Sequence, residues 1–287
     1  MRPSQICKKL REGQPVLVTT IHLMDAMAYE MASLMGFDGL WIDLEHHAHS
    51  LETAQAMMRA ARIGASDIVA RPAKGEFMRM GRVLEAGAQG ILYPRCDNAQ
   101  EAAELVEWAK FPPQGSRGLD GCGADNPFSF SPPREYTKFA NANTFLAAQI
   151  EDPAALDHVE EIASVPGIDV IFLGPADFSA MAGHMGEFDH QVVRDAERRI
   201  AEGAKKHGKA WGRPAANPAE AQRLLDMGAQ FFVHGVDLLL VKQGWERMQQ
   251  EFAETGFTFA NRFASPAGDR PTPGDPHYMS RGGERPE

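Results

Sequence analysis

One unit recurs eight times along the chain: a short apolar or β-branched run, then a longer segment with helical periodicity. The candidate strands are 16–23, 39–46, 67–73, 90–96, 144–152, 169–177, 209–215 and 231–237. The helical segments are 25–36, 50–63, 76–87, 98–110, 153–164, 189–206, 217–228 and 238–253. Several helices run into a glycine that also opens the next strand, at Gly36, Gly64, Gly87 and Gly228, as expected of a C′ residue that takes a left-handed turn. Eight such units predict an α/β fold of the (β/α)8 TIM-barrel type. A doubly wound sheet would carry a Gly-rich phosphate turn after its first strand and usually has fewer strands. The barrel is expected to occupy 1–256 as one domain. From Phe257 the sequence turns to Pro, Gly, Arg and Asp, which predicts a tail that is disordered or lies on a neighbouring subunit.

With 287 residues the chain can bury a large core, and its net charge of −10 carries no basic run. Nucleic acid and anionic membranes are therefore not expected partners, because phosphate surfaces require clustered cations. Cys7, Cys96 and Cys122 are odd in number and lack CxxC spacing, which argues against a disulfide framework or a Cys-rich zinc site and for a cytoplasmic location. No signal peptide and no membrane-length apolar run is read from the sequence. Two connections, 111–143 and 178–188, are long enough to expect a role in function.

In a barrel, chemistry gathers where strands end. Strand two ends in Asp43-Leu44-Glu45-His46, strand three carries Arg71, strand five ends in Gln149-Ile150-Glu151-Asp152, and strand six ends in Gly174-Pro175-Ala176-Asp177. Glu151 and Asp177 stand 26 residues apart, one strand-helix-strand step. Two carboxylates on adjacent strands suit a divalent cation, Mg²⁺ or Mn²⁺, with Co²⁺ or Zn²⁺ also compatible. The structural alternative is that one caps a helix while the other pairs with Arg71. Asp152-Pro153 reads as a helix cap and first-turn proline. Arg71 needs an anionic partner, either a substrate carboxylate or enolate oxygen or a salt bridge within the rim. His46 is positioned as an acid or base; with His47 and His49 it also admits a three-His metal site.

The segments IDLEHH, VARPA, GAQGILYPR, FPPQGSRG, QIED and FLGPADFS, in that order, resemble the HpcH/HpaI aldolase family of metal-dependent class II pyruvate aldolases over roughly residues 12–253. The resemblance implies roles for single positions. His46 falls on the general base, and Arg71 on the arginine that holds the pyruvate keto or enolate oxygen. Glu151 and Asp177 fall on the metal ligands, and Gln149 on a contact to substrate or metal water. Gly174, Pro175 and Ala176 join it as substrate-binding positions. An aspartate that pairs with the histidine in the best-known members is matched here by Glu85, one methylene longer. The implied reaction is reversible cleavage of a 4-hydroxy-2-oxo acid to pyruvate, or a close 2-oxo acid such as hydroxypyruvate, and an aldehyde through a metal-stabilised enolate. The family also implies a homo-oligomer, commonly a hexamer built from dimers that exchange their last helix. The apolar run from Val236 to Val241 and the tail agree with that.

Other readings make different demands. A Schiff-base aldolase needs a desolvated lysine at a strand end, and the candidates are Lys74, in a polar loop, and Lys209, at the opposite rim. A phosphosugar isomerase needs a Gly-rich phosphate cradle after strands seven and eight, where this chain has Leu238-Leu239-Leu240 instead. A citrate-lyase β-like acyl-CoA lyase is expected to gather basic residues at the rim, and Arg95, Arg117 and Arg213 show no clustering in sequence. A non-catalytic binding barrel has no reason to keep His46, Arg71, Glu151 and Asp177 together.

Overall fold

The structure is a computed structural model, described here for residues 2–260. The expected tail, apart from its first four residues, lies outside the described residues. The elements in chain order are α1 (Gln5–Arg11), β1 (Val16–Thr20), α2 (Ala26–Leu34), β2 (Gly39–Asp43), α3 (Leu51–Ala60), β3 (Asp67–Arg71), α4 (Phe77–Ala86), β4 (Gly90–Tyr93), α5 (Ala99–Ala109) and α6 (Pro133–Asn143). They continue with β5 (Phe145–Ile150), α7 (Pro153–Asp157), α8 (Val159–Ser164), β6 (Val170–Leu173), α9 (Pro175–Met181), α10 (Gln191–Lys206), β7 (Ala210–Pro214), α11 (Pro218–Asp226), β8 (Phe231–Val236) and α12 (Asp237–Ala253).

The eight strands are all parallel and close into a barrel in sequence order, β1 pairing back to β8. Successive side chains of a strand alternate faces, so residues two apart share one. Val16, Val18, Trp41, Val69, Leu92, Phe145, Ala147, Val170, Phe172, Phe231 and Val233 fill the barrel interior. Leu40, Ile42, Ile68, Ala70, Leu146, Ala148 and Ile171 form the other face, against the helices. Continuing the interior series by two residues from Trp41, Val69 and Ala147 reaches Asp43, Arg71 and Gln149. The alternation that builds the core thus delivers polar groups to its upper end.

The lower end is closed by α1, which the strand-helix count did not anticipate. Ile6 and Cys7 pack into the interior cluster, and the buried Asp67 accepts hydrogen bonds from Ser4 Oγ (2.6 Å) and the Ile6 amide (2.8 Å). The barrel is left open at the rim where the polar residues stand.

Each expected strand overshoots its observed C-terminal end, because the chain leaves the ladder as soon as it reaches the polar rim. Gly36, Gly87 and Gly228 have the positive φ expected of helix stops. Gly64 does not, with φ −105°. Its reason is proximity, since a Cβ there would lie 2.3 Å from the Ser33 carbonyl oxygen. The 153–164 segment is two helices broken at His158. Residues 111–143 contain α6, and the second long connection is shortened by α9, which starts inside the segment read as the end of strand six.

α12 stands apart from the barrel. None of its 17 residues is buried, and Leu238, Val241, Trp245, Met248 and Phe252 recur at alternating three- and four-residue steps, all solvent-exposed.

Candidate active site

The register of β2 on β3 places Asp43 directly opposite Arg71. Both are interior and nearly buried, and they meet as a two-pronged pair: Arg71 Nε donates to Asp43 Oδ1 at 3.0 Å and Nη2 to Oδ2 at 2.7 Å. The guanidinium lies 4.7 Å above the Trp41 ring. Asp43 Oδ1 also accepts the backbone N–H of Glu45 (3.0 Å) and His46 (3.4 Å), a turn that ends the strand and presents both side chains at the mouth. Burial pushes the Asp43 carboxyl up, but the Arg71 hydrogen bonds and charge, with those two amides, outweigh it and hold it at about 2. Arg71 therefore has its anionic partner inside the rim. Its Nη1 is the one guanidinium nitrogen that makes no bond among the described residues.

Glu45 adds a second carboxylate: its Oε2 is 3.2 Å from Arg71 Nε and 3.6 Å from His46 Nε2, yet accepts no hydrogen bond. His46 itself is 57% exposed at the mouth. Glu85, which the resemblance matches to the partner of His46, forms no hydrogen bond with it among the described residues. Glu85, one residue from the end of α4, lines a surface cavity with Leu51, Glu52 and Gln55 of α3 and with Arg82. There its carbonyl accepts from the Ala124 amide and its carboxyl is pushed up by burial, with Arg117 opposing and Asp125 and Asp120 reinforcing. No ion pair joins Glu85 to His46 among the described residues; the carboxylate beside His46 is Glu45.

On the far side of the mouth, Glu151 is 2% exposed. Its Oε1 accepts from Gln149 Nε2 (2.8 Å) and its Oε2 from the Arg95 amide (2.9 Å). No described cation forms an ion pair with it. Burial pushes its carboxyl up to about 7, against the Arg95 amide and the charge of Arg71, while Asp177 and Glu45 add to the rise. Gly174 presses on this carboxylate: a Cβ there would lie 2.5 Å from Glu151 Oε1. Pro175 is buried as the first residue of α9, and Ala176 is exposed beside it. Asp177, half-buried in the first turn of α9, makes no hydrogen bond or ion pair among the described residues, so its carboxylate is free. Asp152 caps α7 through the Ala154 amide at 2.8 Å, as expected.

These groups fit a divalent cation. Two carboxylates lack a counter-charge, and the buried Gln149 Oε1 lacks any partner; hard oxygen donors of this kind suit Mg²⁺ or Mn²⁺. His22, Asp43 and His47 also bring ligand atoms within 4.8 Å of one another. Both Asp43 oxygens are already held by Arg71, and a second cation beside that guanidinium would be repelled.

The His-rich stretch assembles differently from the three-His site considered from sequence. His46 turns to Glu45, while His47 stacks between His22 (4.0 Å) and His49 (5.3 Å), with His47 Nδ1 3.3 Å from Asp43 Oδ2. His22, from the β1–α2 loop, gave no sequence signal because the contact is made only when the barrel closes. Asp43 was visible at a strand end, but its role depends on register.

The sequence profile described as HpcH/HpaI aldolase/citrate lyase matches residues 21–243. The chain belongs to that family. It is 31% identical to a hydroxypyruvate/pyruvate aldolase of Delftia acidovorans over 82% of this chain and 87% of the relative. It is 32% identical to a 4-hydroxy-2-oxo-heptane-1,7-dioate aldolase of Klebsiella pneumoniae over 87% and 94%. The crystal structure of an HpcH/HpaI aldolase/citrate lyase family protein from Burkholderia cenocepacia superposes with a TM-score of 0.81 at 29% identity, covering 87% of this chain and 99% of that one. Membership in the HpcH/HpaI family makes the protein a carbon–carbon lyase of the aldolase type.

The rival chemistries find little purchase. Lys74 is tied to Asp97, Glu101 and the Arg95 carbonyl, and although burial works against it these partners push its ammonium up, opposite to what a Schiff-base lysine needs. Lys209 bonds the Ile168 carbonyl (2.7 Å) at the closed rim. Of the three arginines considered for coenzyme A, Arg117 is buried against Asp125, and Arg213 against Glu197 and Glu220. They form no phosphate-binding patch.

Proposed function

We propose that the protein is a divalent-metal-dependent aldolase that reversibly cleaves a 4-hydroxy-2-oxo acid to pyruvate, or a close relative such as hydroxypyruvate, and an aldehyde. The observation that carries this reading is the buried Glu151 carboxylate, without a counter-charge, beside the free carboxylate of Asp177. A group held like this is costly unless a cation joins it. Glu151 and Asp177 would hold that cation, which when bound draws electron density from C3 of a 2-oxo acid through its carboxylate and keto oxygens.

The chain's own residues supply the rest. His46 takes the proton of the C4 hydroxyl, the C3–C4 bond breaks with its electron pair passing to the C3–C2–O system, and the aldehyde leaves. Arg71, through its unpaired Nη1, stabilises the negative charge that develops on the keto oxygen, and its clamp on Asp43 means no reorganisation is needed at that moment. A proton returned to C3 completes pyruvate. Gln149, Gly174, Pro175 and Ala176 shape the wall around the carboxylates.

The seam on α12 supports a homo-oligomer in which that helix packs on a neighbouring subunit, as in a hexamer built from dimers. Three free cysteines, two of them buried, fit a reducing cytoplasm. Among the described residues no helix is long and apolar enough to cross a membrane.

The test needs no aldehyde. Pyruvate in D₂O is followed by proton NMR with EDTA and then with Mg²⁺ or Mn²⁺. Metal-dependent loss of the methyl signal, abolished in His46→Ala and Asp177→Ala, is the expected result. Absence of exchange with every metal overturns the reading.

A further inference from the structure

Asp43 Oδ2 has two neighbours: Arg71 Nη2 at 2.7 Å and His47 Nδ1 at 3.3 Å. The carboxylate of Asp43, held by Arg71, can only accept, so His47 Nδ1 is the donor in this contact. The ring has little freedom to leave, because it lies between His22 and His49, nearly parallel to both (18° and 12°). His22 is held in turn from a third element: the His22 and Leu23 amides donate to Asp237 Oδ1 (2.9 Å) and Oδ2 (2.8 Å) at the start of α12. A continuous line of contacts therefore runs from Asp237 through His22 and His47 to Asp43 and ends at the arginine of the site.

Arg71 is the group this line can influence. Its side chain meets two carboxylates, Asp43 through Nε and Nη2 and Glu45 beside Nε, so its aim depends on where the Asp43 carboxylate is held. Oδ1 of Asp43 is saturated by Arg71 Nε and two backbone amides, so the orientation of the carboxylate about its own axis is decided at Oδ2, where His47 is the only donor besides Arg71 among the described residues. We propose that His47, stacked between His22 and His49, is a positioning residue for Arg71, acting through Asp43 to keep the guanidinium aimed at the oxygen on which charge develops. The inference rests on the aldolase reading only for what Arg71 does, not for how it is held. The side chain of His46, its neighbour in sequence, turns to Glu45 and takes no part in the line.

The experiment compares His47→Ala with His47→Asn, whose side-chain amide can replace the Nδ1–H donor but cannot exchange a proton. Two quantities are read on the full-length protein. The first is the rate at which phenylglyoxal modifies Arg71, followed by peptide mass spectrometry. The second is metal-dependent deuterium exchange into pyruvate. In His47→Ala, Arg71 should be modified several-fold faster and exchange should fall about tenfold, the worth of one hydrogen bond to a charged group. In His47→Asn both should return close to wild type.

Unchanged Arg71 labelling in His47→Ala overturns the proposal, whatever exchange does. An asparagine variant as slow in exchange as the alanine variant also overturns it, because that pattern means His47 moves a proton itself. If the wild type shows no exchange at all, the aldolase reading falls and the labelling still decides how Arg71 is held.

Discussion

Gly174 lies so close to Glu151 that the smallest possible side chain at that position would come within 2.6 Å of Glu151 Cγ and 2.7 Å of Gln149 Nε2. Its φ of −94° is open to any residue, so the glycine is there for space and not for backbone freedom. Gly174→Ala should displace the carboxylate while leaving the barrel folded. Affinity for Mn²⁺, measured by isothermal titration, should drop roughly 10- to 100-fold, the usual cost of disturbing the setting of a metal ligand. Wild-type affinity in this variant would show that Glu151 is not a ligand.

Glu151 also sets a pH dependence of sign opposite to that of an ordinary ion-paired carboxylate. Its carboxyl stands at about 7 in the folded chain against 4.5 as an unperturbed group, so between those values the native state binds the extra proton. Stability of the metal-free protein should then fall as pH rises from about 4.5 to about 7, by about 3 kcal/mol from this group. Asp67, pushed up to about 6 by burial, slopes the same way, so wild type must be compared with Glu151→Gln. The variant should be the more stable above pH 7 without metal, measured by urea unfolding, and should lose the gap when metal is added to both. Parallel curves at all pH values would remove the buried charge from the account.

Asp43→Asn removes one partner of a buried pair and leaves Arg71 facing a neutral amide. Glu45 still stands 3.2 Å from Arg71 Nε, so the expected destabilisation is about 2 kcal/mol, the worth of the shift from 3.8 to about 2. Asp43 is held at about 2, below its unperturbed 3.8, so its contribution is present in full above that value and is lost as pH falls toward 2. Acid unfolding of wild type and variant should therefore converge near pH 2. Curves that stay separated there would place the stabilisation elsewhere.

The fold was legible because each strand-helix unit carries its own periodicity, and eight of them leave few architectures. The candidate site was legible at strand ends: Arg71, Gln149, Glu151 and Asp177 are polar where packing alone would choose otherwise. What the sequence did not carry depends on three-dimensional register. The Asp43–Arg71 pair needs β2 and β3 aligned residue to residue. His22 meets His47 only across a closed barrel. α1 was missed because its short amphipathic turn gains stability from the barrel floor it plugs and not from its own pattern.

The exposed seam on α12 makes the last prediction. Leu238, Val241, Trp245, Met248 and Phe252 line one side of the helix with the three-and-four spacing of a helix–helix interface, and none is covered by the chain's own barrel. On the barrel, Met27, Met31 and Leu34 of α2 and Leu17 of β1 are also exposed, next to where a closing helix would lie. Large apolar side chains gain about 1.5–3 kcal/mol each when buried, so two such surfaces left in water would favour association. Light scattering should give a mass that is a multiple of 31.5 kDa, and Val241→Glu with Trp245→Glu should reduce it toward one chain. Because Asp237 at the start of the same helix anchors the His22 loop, dissociation should also speed phenylglyoxal labelling of Arg71. A wild-type mass of 31.5 kDa would show instead that α12 stays exposed and that the site is complete in a single chain.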